Sequence, residues 1–354
     1  METKVAVIGV GGRTGTMFAY ELQNAAEVVG VARKEEVDLI KKKKLYIEKS
    51  GSQRELFQGR VISEDEFPGK ELPDIIFLAT KNPVGLPVKS YYQKISDFLK
   101  GKEEKLPSLV LSQNGIAASK EALTALKEVF GEKGESIQII RVCLLNPIEK
   151  KIIKNDLEAS SKKDFGNVCI NYFLPIRLTF GVFSGSKDTQ KIEKVFKEAH
   201  IEAQKVLPED VTNMEFSKLF SNLLGVVSAV EGLSIKDGFK KKDVFVEEIN
   251  VLREYIKVVK TSGGRFLNLP NAPIAFLATL IEKTPLPVLG AVRSKIGSMI
   301  SKGRGGKPKG NLDEIDYYIG AIVELGKTLN IDTPSSKKVL KKTLEKLATS
   351  SRMG

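Results

Sequence analysis

The sequence predicts an α/β domain built on a parallel sheet, followed by an all-α domain. Over about the first 207 residues, short apolar runs alternate with helical patterns. From about residue 209 onward the strand patterns stop, and long helical patterns follow one another. The length of 354 residues suits two domains at roughly 100–200 residues each. We therefore predict two domains, at residues 1–209 and 210–354.

The first domain opens with a strand–helix–strand unit. Residues 4–9 are a short apolar run ending in glycine, residues 17–25 follow a helical pattern, and residues 27–32 are a second apolar run. Further strands are predicted at 74–80, 108–112 and 137–141, with helices at 87–99 and 119–129. Strands that alternate with helices imply a parallel sheet covered on both faces.

The remaining patterns close the first domain and build the second. The elements predicted to close the first are strands at 167–170 and 177–180, a helix at 188–199 and the stretch 203–207. The helices predicted for the second are 214–228, 244–262, 287–301, 312–329 and 335–348. The longest apolar run, Leu223–Val230, is shorter than the roughly 18 residues of a membrane span, and we predict a buried helix there. The glycine- and lysine-rich residues 301–310 are predicted to be a mobile loop.

Charge raises the question of nucleic-acid binding, since the net charge is +12 and the pI about 9.3. The lysines, however, are spread along the chain, and the few aromatic residues are not interleaved with basic clusters. We interpret the run Lys41–Lys44 as the solvated end of a helix and expect no nucleic-acid partner. A positive field also favours a phosphate-bearing cofactor and a small anionic substrate.

Cysteine and histidine are scarce. Cys143 and Cys169 lack the spacing of a zinc site or a disulfide framework, which fits a reducing compartment. His200 is the single histidine, so neither a His-centred dehydrogenase mechanism nor a metal site is expected. The N-terminus shows no signal-peptide pattern, and no apolar run is long enough for a membrane span. These features predict a cytoplasmic protein.

A glycine-rich turn follows the first strand and precedes the first helix. Its residues are Gly9-Val10-Gly11-Gly12-Arg13-Thr14-Gly15. Such a turn lets backbone N–H groups approach a pyrophosphate, and the helix N-terminus adds a favourable dipole. Thr14 stands where the third glycine usually belongs; either Gly15 compensates by a shift of one residue, or Gly12 and Gly15 carry the turn. The predicted cofactor contacts are Gly9, Gly11, Gly12, Arg13 and Thr14. The alternative is the same turn in a Rossmann-like fold without a ligand.

The end of the second strand distinguishes the two nicotinamide cofactors. An acidic residue there would accept from the ribose 2′-OH of NAD, whereas Arg33 and Lys34 suit a phosphate. NADPH is therefore predicted, although Glu35 and Glu36 follow closely and, as acidic residues, weaken the distinction between NADPH and NADH. The alternative is that Arg33 and Lys34 are ordinary surface cations.

Several short blocks, in a fixed order along nearly the whole chain, resemble the ketopantoate reductase family. The blocks are Ala79-Thr80-Lys81, Gln113-Asn114-Gly115, the segment Phe216–Asn222 with its aromatic-x-Lys-Leu-x-x-Asn pattern, Gly297-Ser298-Met299, Glu314–Gly320 and Asp332-Thr333-Pro334. Each block alone is weak evidence. Their common order makes the resemblance specific, and it implies a Rossmann domain followed by a helical substrate domain.

The resemblance implies roles for six residues. Lys218 would be the general acid that protonates the carbonyl oxygen as hydride reaches C2 of ketopantoate, a role for which a lysine of readily shifted pKa is suited. Glu314 would bind the substrate hydroxyl and help to hold Lys218. The remaining roles are Asn222 and Ser298 in substrate binding, Asn114 between cofactor and substrate, and Lys81 near the nicotinamide. The family places such groups in the cleft between its domains.

Read without the resemblance, the same residues have ordinary explanations. Lys218 reads equally well as a solvated cation, and Ser298 as a small packing residue. Glu314 suits the first turn of a helix, and Asn114 before Gly115 is a turn signal.

The sequence also departs from the family pattern. Val226 replaces a second asparagine, Lys302 replaces an aspartate, and Val84 stands at a position that is often polar.

Three functions follow as hypotheses. The first is NADPH-dependent reduction of 2-dehydropantoate to pantoate, a step toward pantothenate and coenzyme A. The second is reduction of a different 2-oxo acid, motivated by Val226 and Lys302. The third is a non-catalytic NADPH-binding sensor. A homodimer formed through the helical domain is also expected, because its apolar helices exceed what one small bundle needs.

Overall fold

The computed structural model describes residues 2–43, 45–49, 54–100, 105–153, 167–303, 312 and 314–352. The chain divides into two compact units. Unit 1 comprises Met1–Gln113 and Ala118–Val211, and unit 2 comprises Asn114–Ala117 and Thr212–Gly354. Unit 1 is α/β with a Rossmann-type sheet and unit 2 is helical, which confirms the predicted fold class.

Unit 1 holds two sheets. The strands are β1 (Lys4–Ile8), β2 (Glu27–Ala32), β3 (Leu45–Lys49), β4 (Arg54–Leu56), β5 (Arg60–Ser63), β6 (Ile75–Leu78), β7 (Ser108–Leu111), β8 (Ile139–Leu144), β9 (Ile148–Ile153), β10 (Asn167–Tyr172), β11 (Arg177–Ser184) and β12 (Glu202–Lys205). The large sheet has the order β12-β11-β8-β7-β6-β1-β2-β5. Its neighbours are parallel except for β11, which runs antiparallel to β8. Strands covered on both faces read as continuous apolar runs, which is why β1, β6 and β7 were predictable.

The helices of unit 1 cover this sheet. They are α1 (Arg13–Leu22), α2 (Lys34–Lys43), α3 (Gly85–Phe98), α4 (Ala118–Phe130) and α5 (Gln190–Glu198). The run that we interpreted as a solvated helix end lies in α2 up to Lys43, and Lys44 is outside the described residues. The strand register aligns Ile8 with Leu78, and Leu78 with Leu111. The carboxyl ends of these strands therefore share one edge, where ligands of such sheets bind.

The small sheet, of order β4-β3-β10-β9, was largely missed by the sequence analysis, which predicted only part of β10. It packs on the side of α1 that faces away from the large sheet, so every residue of α1 from Gly15 to Leu22 is buried. Burying Glu21 requires polar partners: the Tyr172 hydroxyl donates to its carboxylate, and Lys49 Nζ lies 3.6 Å from Glu21 Oε1. The helix begins at Arg13, so its predicted start at residue 17 was too late. Thr14, Gly15 and Thr16 in its first turn have low intrinsic helix propensity, which hides the start from a sequence pattern.

Unit 2 is built from nine helices within its described residues. They are α6 (Val211–Leu223), α7 (Val226–Val230), α8 (Ile235–Lys240), α9 (Lys242–Thr261), α10 (Ile274–Lys283), α11 (Leu286–Ala291), α12 (Arg293–Gly303), α13 (Ala321–Thr328) and α14 (Pro334–Arg352). A π-helical turn at Asp316–Gly320 leads into α13. Among the helices the structure describes, none is long and apolar enough to cross a membrane.

Three predicted helices were wrong as continuous elements. The helix predicted at 214–228 ends at Leu223 and restarts at Val226, because Gly225 adopts φ +87°. A Cβ at Gly225 would collide with the side chain of Ile235, so this break needs glycine. The helix predicted at 287–301 divides into α11 and α12, and that at 312–329 begins with the π-helical turn. Of the predicted loop at 301–310, residues 304–310 lie outside the described residues.

Two carboxylates of the long helix α9 hold other helices at their N-termini. Glu248, fully buried, accepts from the N–H groups at the start of α7, with Gly225 N at 2.6 Å and Val227 N at 3.0 Å. Glu254 accepts from Ser335 N at 2.7 Å and Ser336 N at 2.8 Å at the start of α14. Helix N-termini leave unsatisfied donors and a positive dipole end, so a carboxylate there stabilises the helix. These contacts fix the starts of α7 and α14 against α9.

Candidate active site

The glycine-rich turn lies between β1 and α1. Gly9 adopts φ +88° and donates its N–H to Val31 O at 2.8 Å, which ties the turn to β2. Gly12 N donates back to Gly9 O at 2.9 Å. A Cβ at Gly15 would collide with the carbonyl oxygen of Gly9. Gly15 therefore provides the close packing between helix and strand that the third glycine of the fingerprint provides, by a shift of one residue. Thr14 is left with a half-buried side chain at the start of the helix.

The N-terminus of α1 is open to an anion. Its N-cap residue, Gly12, has no side chain to accept from the first-turn N–H groups, and no acidic residue lies in that turn. Gly12 and Arg13 are exposed. The Thr16 hydroxyl, within the helix, lies 2.5 Å from Val10 O and 2.7 Å from Gly12 O, which holds the turn against the helix. A phosphate fits such an N-terminus, because N–H groups and the dipole both favour negative charge.

The end of β2 carries both signs of charge. Arg33 and Lys34 are exposed, as a phosphate contact requires. Arg33 Nη2, however, lies 2.6 Å from Glu36 Oε1. Lys150, from β9, also reaches this region and donates to Gly11 O at 3.2 Å. The sequence analysis did not identify Lys150, because nothing in its spacing relates it to the turn.

The carboxyl ends of β6 and β7 are joined by Gln113. Its amide nitrogen donates to Leu78 O at 2.9 Å and to Thr80 O at 3.2 Å. Among the described residues, Gln113 Oε1 and Thr80 Oγ1 are buried without a hydrogen-bond partner. Lys81 follows Thr80 in the sequence and is exposed at the same edge of the large sheet.

A buried arginine lies beneath this edge. Arg141 of β8 is 1% exposed and donates to Leu111 O at 3.0 Å and to Gln113 O. It therefore fixes the backbone that leads to the Gln113-Asn114 step. Sequence analysis missed this role, although a charged residue inside an apolar strand is itself a signal for a specific partner.

Unit 2 brings three of the predicted residues together. Asn222 Nδ2 donates to Asn114 Oδ1 at 3.1 Å, and Asn114 Nδ2 lies 3.5 Å from Glu314 Oε2, the outer limit of a hydrogen bond. We name Asn114, Asn222 and Glu314 the amide–carboxylate cluster. Its members are 108 and 200 residues apart in sequence, so no local preference assembles it.

The turn that carries Asn114 is itself fitted to unit 2. Gly115 adopts φ +93°, and a Cβ there would lie 2.9 Å from Tyr317 O, on the π-helical turn that follows Glu314. Only glycine allows this approach. Lys218 lies on α6 four residues before Asn222, and therefore on the same face of the helix, with a half-buried side chain.

The remaining predicted residues are placed differently. Ser298 is exposed on α12, whose Gly297 packs closely against Phe239; within the described residues no hydrogen bond joins Ser298 to the cluster. Val226 and Val84 are 1% and 0% exposed. Val226, which motivated the second function hypothesis, therefore lies in the core of unit 2. The side chain of Lys302 lies outside the described residues.

Comparison with known proteins gives one family match and several solved structures of the same fold. Residues 5–135 match the family model ketopantoate reductase PanE/ApbA. No curated protein sequence matches the chain. A 2-dehydropantoate 2-reductase from Methylococcus capsulatus is similar in structure, with 17% identity, a TM-score of 0.62 and coverage of 98% of this chain and 97% of that one.

Two further solved structures share the fold. A PanE/ApbA family ketopantoate reductase from Ralstonia eutropha JMP134 has 16% identity, a TM-score of 0.66 and 99% coverage of both chains. A D-mandelate dehydrogenase in a ternary structure with NADH and anilino(oxo)acetate has 17% identity, a TM-score of 0.65 and coverage of 98% of this chain and 99% of that one. At these identities the likeness establishes the fold.

Proposed function

We propose that this chain, whose residues 5–135 match the ketopantoate reductase PanE/ApbA family model, reduces 2-dehydropantoate to pantoate with NADPH. The observation that carries this proposal is the amide–carboxylate cluster: Asn222 and Glu314 lie within 3.1–3.5 Å of Asn114 although they are far apart in sequence. Such convergent polar groups orient a small polar substrate.

The glycine-rich turn is the proposed cofactor site. Its exposed Gly12, its half-buried Gly11 and the uncapped start of α1 fit a pyrophosphate, and Arg33 and Lys34 fit an additional phosphate. Lys81, at the carboxyl end of β6, is proposed to contact the nicotinamide half. When bound, NADPH supplies the hydride for the reduction.

Lys218 is the proposed general acid. Its ammonium would stabilise the negative charge that develops on the substrate carbonyl oxygen and then transfer a proton to that oxygen. Asn222, one helical turn away, would bind the substrate beside it, and Glu314 would accept from the substrate hydroxyl. Asn114 contacts both Asn222 and Glu314 and would hold their side chains in position. Ser298 would donate to the substrate carboxylate from its exposed position on α12.

The cellular setting belongs to the same proposal. Cys143 and Cys169 are buried thiols rather than a disulfide, which suits a reducing cytoplasm. Exposed apolar side chains of the helical unit, among them Phe276 and Val288, are compatible with a homodimer.

The decisive experiment follows NADPH absorbance when 2-dehydropantoate is added to the purified protein. We expect saturable oxidation of NADPH with formation of pantoate, identified by mass spectrometry. The proposal fails if turnover does not exceed background at saturating NADPH.

A second candidate, reduction of another 2-oxo acid, is favoured by one observation. The D-mandelate dehydrogenase that shares the fold was solved with anilino(oxo)acetate, so this architecture accommodates an aromatic oxo acid. A panel of branched, hydroxylated and aromatic 2-oxo acids distinguishes the two. A preference for 2-dehydropantoate of about a hundredfold in kcat/KM would reject the second candidate, because single pocket contacts discriminate by about 10–200-fold.

A further inference from the structure

One carboxylate lies between the glycine-rich turn and the arginine at the end of β2. Glu36 Oε1 is 2.6 Å from Arg33 Nη2, and Glu36 Oε2 lies 3.4 Å from the position that a Cβ of Gly11 would occupy. Glu36 is in the first turn of α2, four residues beyond the end of β2. This side chain therefore touches both parts of the proposed cofactor site, and neither the family match nor the structural relatives assign it a role.

The pairing changes what Arg33 presents to a ligand. The Arg33 side chain is 68% exposed, but its charge is matched by that of Glu36 at hydrogen-bond distance. The bond to Glu36 is the main reason that the pKa of Arg33 is raised, and the charges of Glu35 and Glu64 act in the same direction. A 2′-phosphate approaching Arg33 would meet this local negative charge. The end of β2 is therefore not a purely basic phosphate site.

The two nicotinamide cofactors make opposite demands here. With a pyrophosphate on the glycine-rich turn, the adenosine ribose lies toward the end of the second strand. A ribose 2′-OH needs an acceptor, which Glu36 offers, and a 2′-phosphate needs a guanidinium, which Arg33 offers. Arg33 and Glu36 are hydrogen-bonded to each other. A 2′-phosphate must therefore displace Glu36 from Arg33, and a 2′-OH must displace Arg33 from Glu36.

We propose that Glu36 sets the cofactor preference, and that its carboxylate opposes the selectivity for NADPH conferred by Arg33, so that the protein also binds NADH. The inference rests on dinucleotide binding as part of the proposed function. Removing the Glu36 charge frees Arg33 and removes the repulsion, and should tighten NADPH binding. The same change removes the acceptor for the 2′-OH, and should weaken NADH binding.

The test is a pair of titrations on the full chain. The protein has no tryptophan, so the fluorescence of the bound reduced nicotinamide can be read without energy transfer from that residue. Dissociation constants for NADPH and NADH are measured for the wild type, for Glu36→Gln and for Glu35→Gln at one fixed salt concentration. Glu35 is exposed in the same helical turn, so Glu35→Gln repeats the change in net charge and serves as the matched control.

We expect Glu36→Gln to shift the ratio of the two dissociation constants toward NADPH by about tenfold, the effect of one hydrogen bond to a charged group. Glu35→Gln should shift it by much less. Equal shifts in the two variants, or an unchanged ratio, would overturn the role of Glu36 while leaving the reductase proposal standing. Failure of all three proteins to bind either nucleotide would overturn both proposals.

Discussion

The glycine-rich turn and the amide–carboxylate cluster are assembled in opposite ways. The turn lies within residues 9–15, and its main contacts, such as Gly12 N to Gly9 O, join near neighbours. The cluster joins residues 108 and 200 positions apart. The turn depends on backbone conformation, which spacing encodes. The cluster depends on side chains that only the packing of unit 2 brings together. The difference teaches that a local turn can be predicted from the spacing of a short motif, whereas the contacts among Asn114, Asn222 and Glu314 cannot.

The largest expected effect concerns Lys218, which lies one helical turn from Asn222 of the amide–carboxylate cluster. Lys218→Ala should lower kcat for the reduction by about 10²–10⁴-fold, because a positioned general acid contributes that much. NADPH binding, measured by fluorescence, should change little, since the proposed cofactor contacts lie outside α6. Lys260→Ala is the control, because that lysine also belongs to unit 2 and its ammonium lies 2.7 Å from the Glu282 carboxylate, away from the proposed site residues in the sequence.

A kcat for Lys218→Ala within about twofold of the Lys260→Ala value would contradict the acid role, since general acids contribute far more. If NADPH binding persisted with no measurable turnover in any variant, the sensor hypothesis would replace it.

A smaller effect is expected in the glycine-rich turn. Gly15→Ala should lower the free energy of unfolding by about 1–3 kcal/mol, the usual cost of overpacking, because its Cβ meets the carbonyl oxygen of Gly9. NADPH binding should weaken at the same time, because the turn must open to relieve the collision. Urea denaturation and fluorescence titration measure the two effects.

Gly85→Ala is the matched control for that substitution. Gly85 also lies in the first turn of a helix of unit 1, but the nearest atom to its added Cβ is 3.9 Å away. If Gly15→Ala were as stable as Gly85→Ala and bound NADPH equally well, the shifted-glycine interpretation would be wrong.

The smallest effect is expected for the contact between Asn114 and Asn222. In a double-mutant cycle of Asn114→Ala and Asn222→Ala, the coupling in kcat/KM should be about 0.5–1.5 kcal/mol, the net contribution of one hydrogen bond. Asn268→Ala replaces Asn222→Ala in the control cycle, because Asn268 bonds instead to Ala275 N at 3.1 Å. Additive effects in the Asn114–Asn222 cycle would show that the 3.1 Å contact has no part in the reaction.

Much of unit 1 was predictable because its central strands are continuous runs of apolar residues. The strand Ile75–Leu78 consists of four buried apolar residues, and a run of that kind fits a central parallel strand. The small sheet was not predictable in this way. Its strand Ile148–Ile153 mixes lysine and glutamate with isoleucine, and its place is set by pairing with Asn167–Tyr172 and by packing on α1.

Within unit 2, local patterns predicted that helices form but not where they break. The break after Leu223 depends on Gly225 fitting against Ile235 and on buried Glu248 holding the new helix start. Neither partner is close in sequence. Val226, the first residue of the new helix, lies in the core.

The sequence by itself determined the fold class, the place of the glycine-rich turn and the family resemblance, because backbone preferences and burial patterns are written in neighbouring residues. Only the tertiary structure decided that Gly15 fills the third glycine position, that Glu36 holds Arg33 beside the turn, and that Asn114, Asn222 and Glu314 meet. The physical reason is that side-chain contacts between distant segments depend on how whole elements pack, and no local periodicity records that packing.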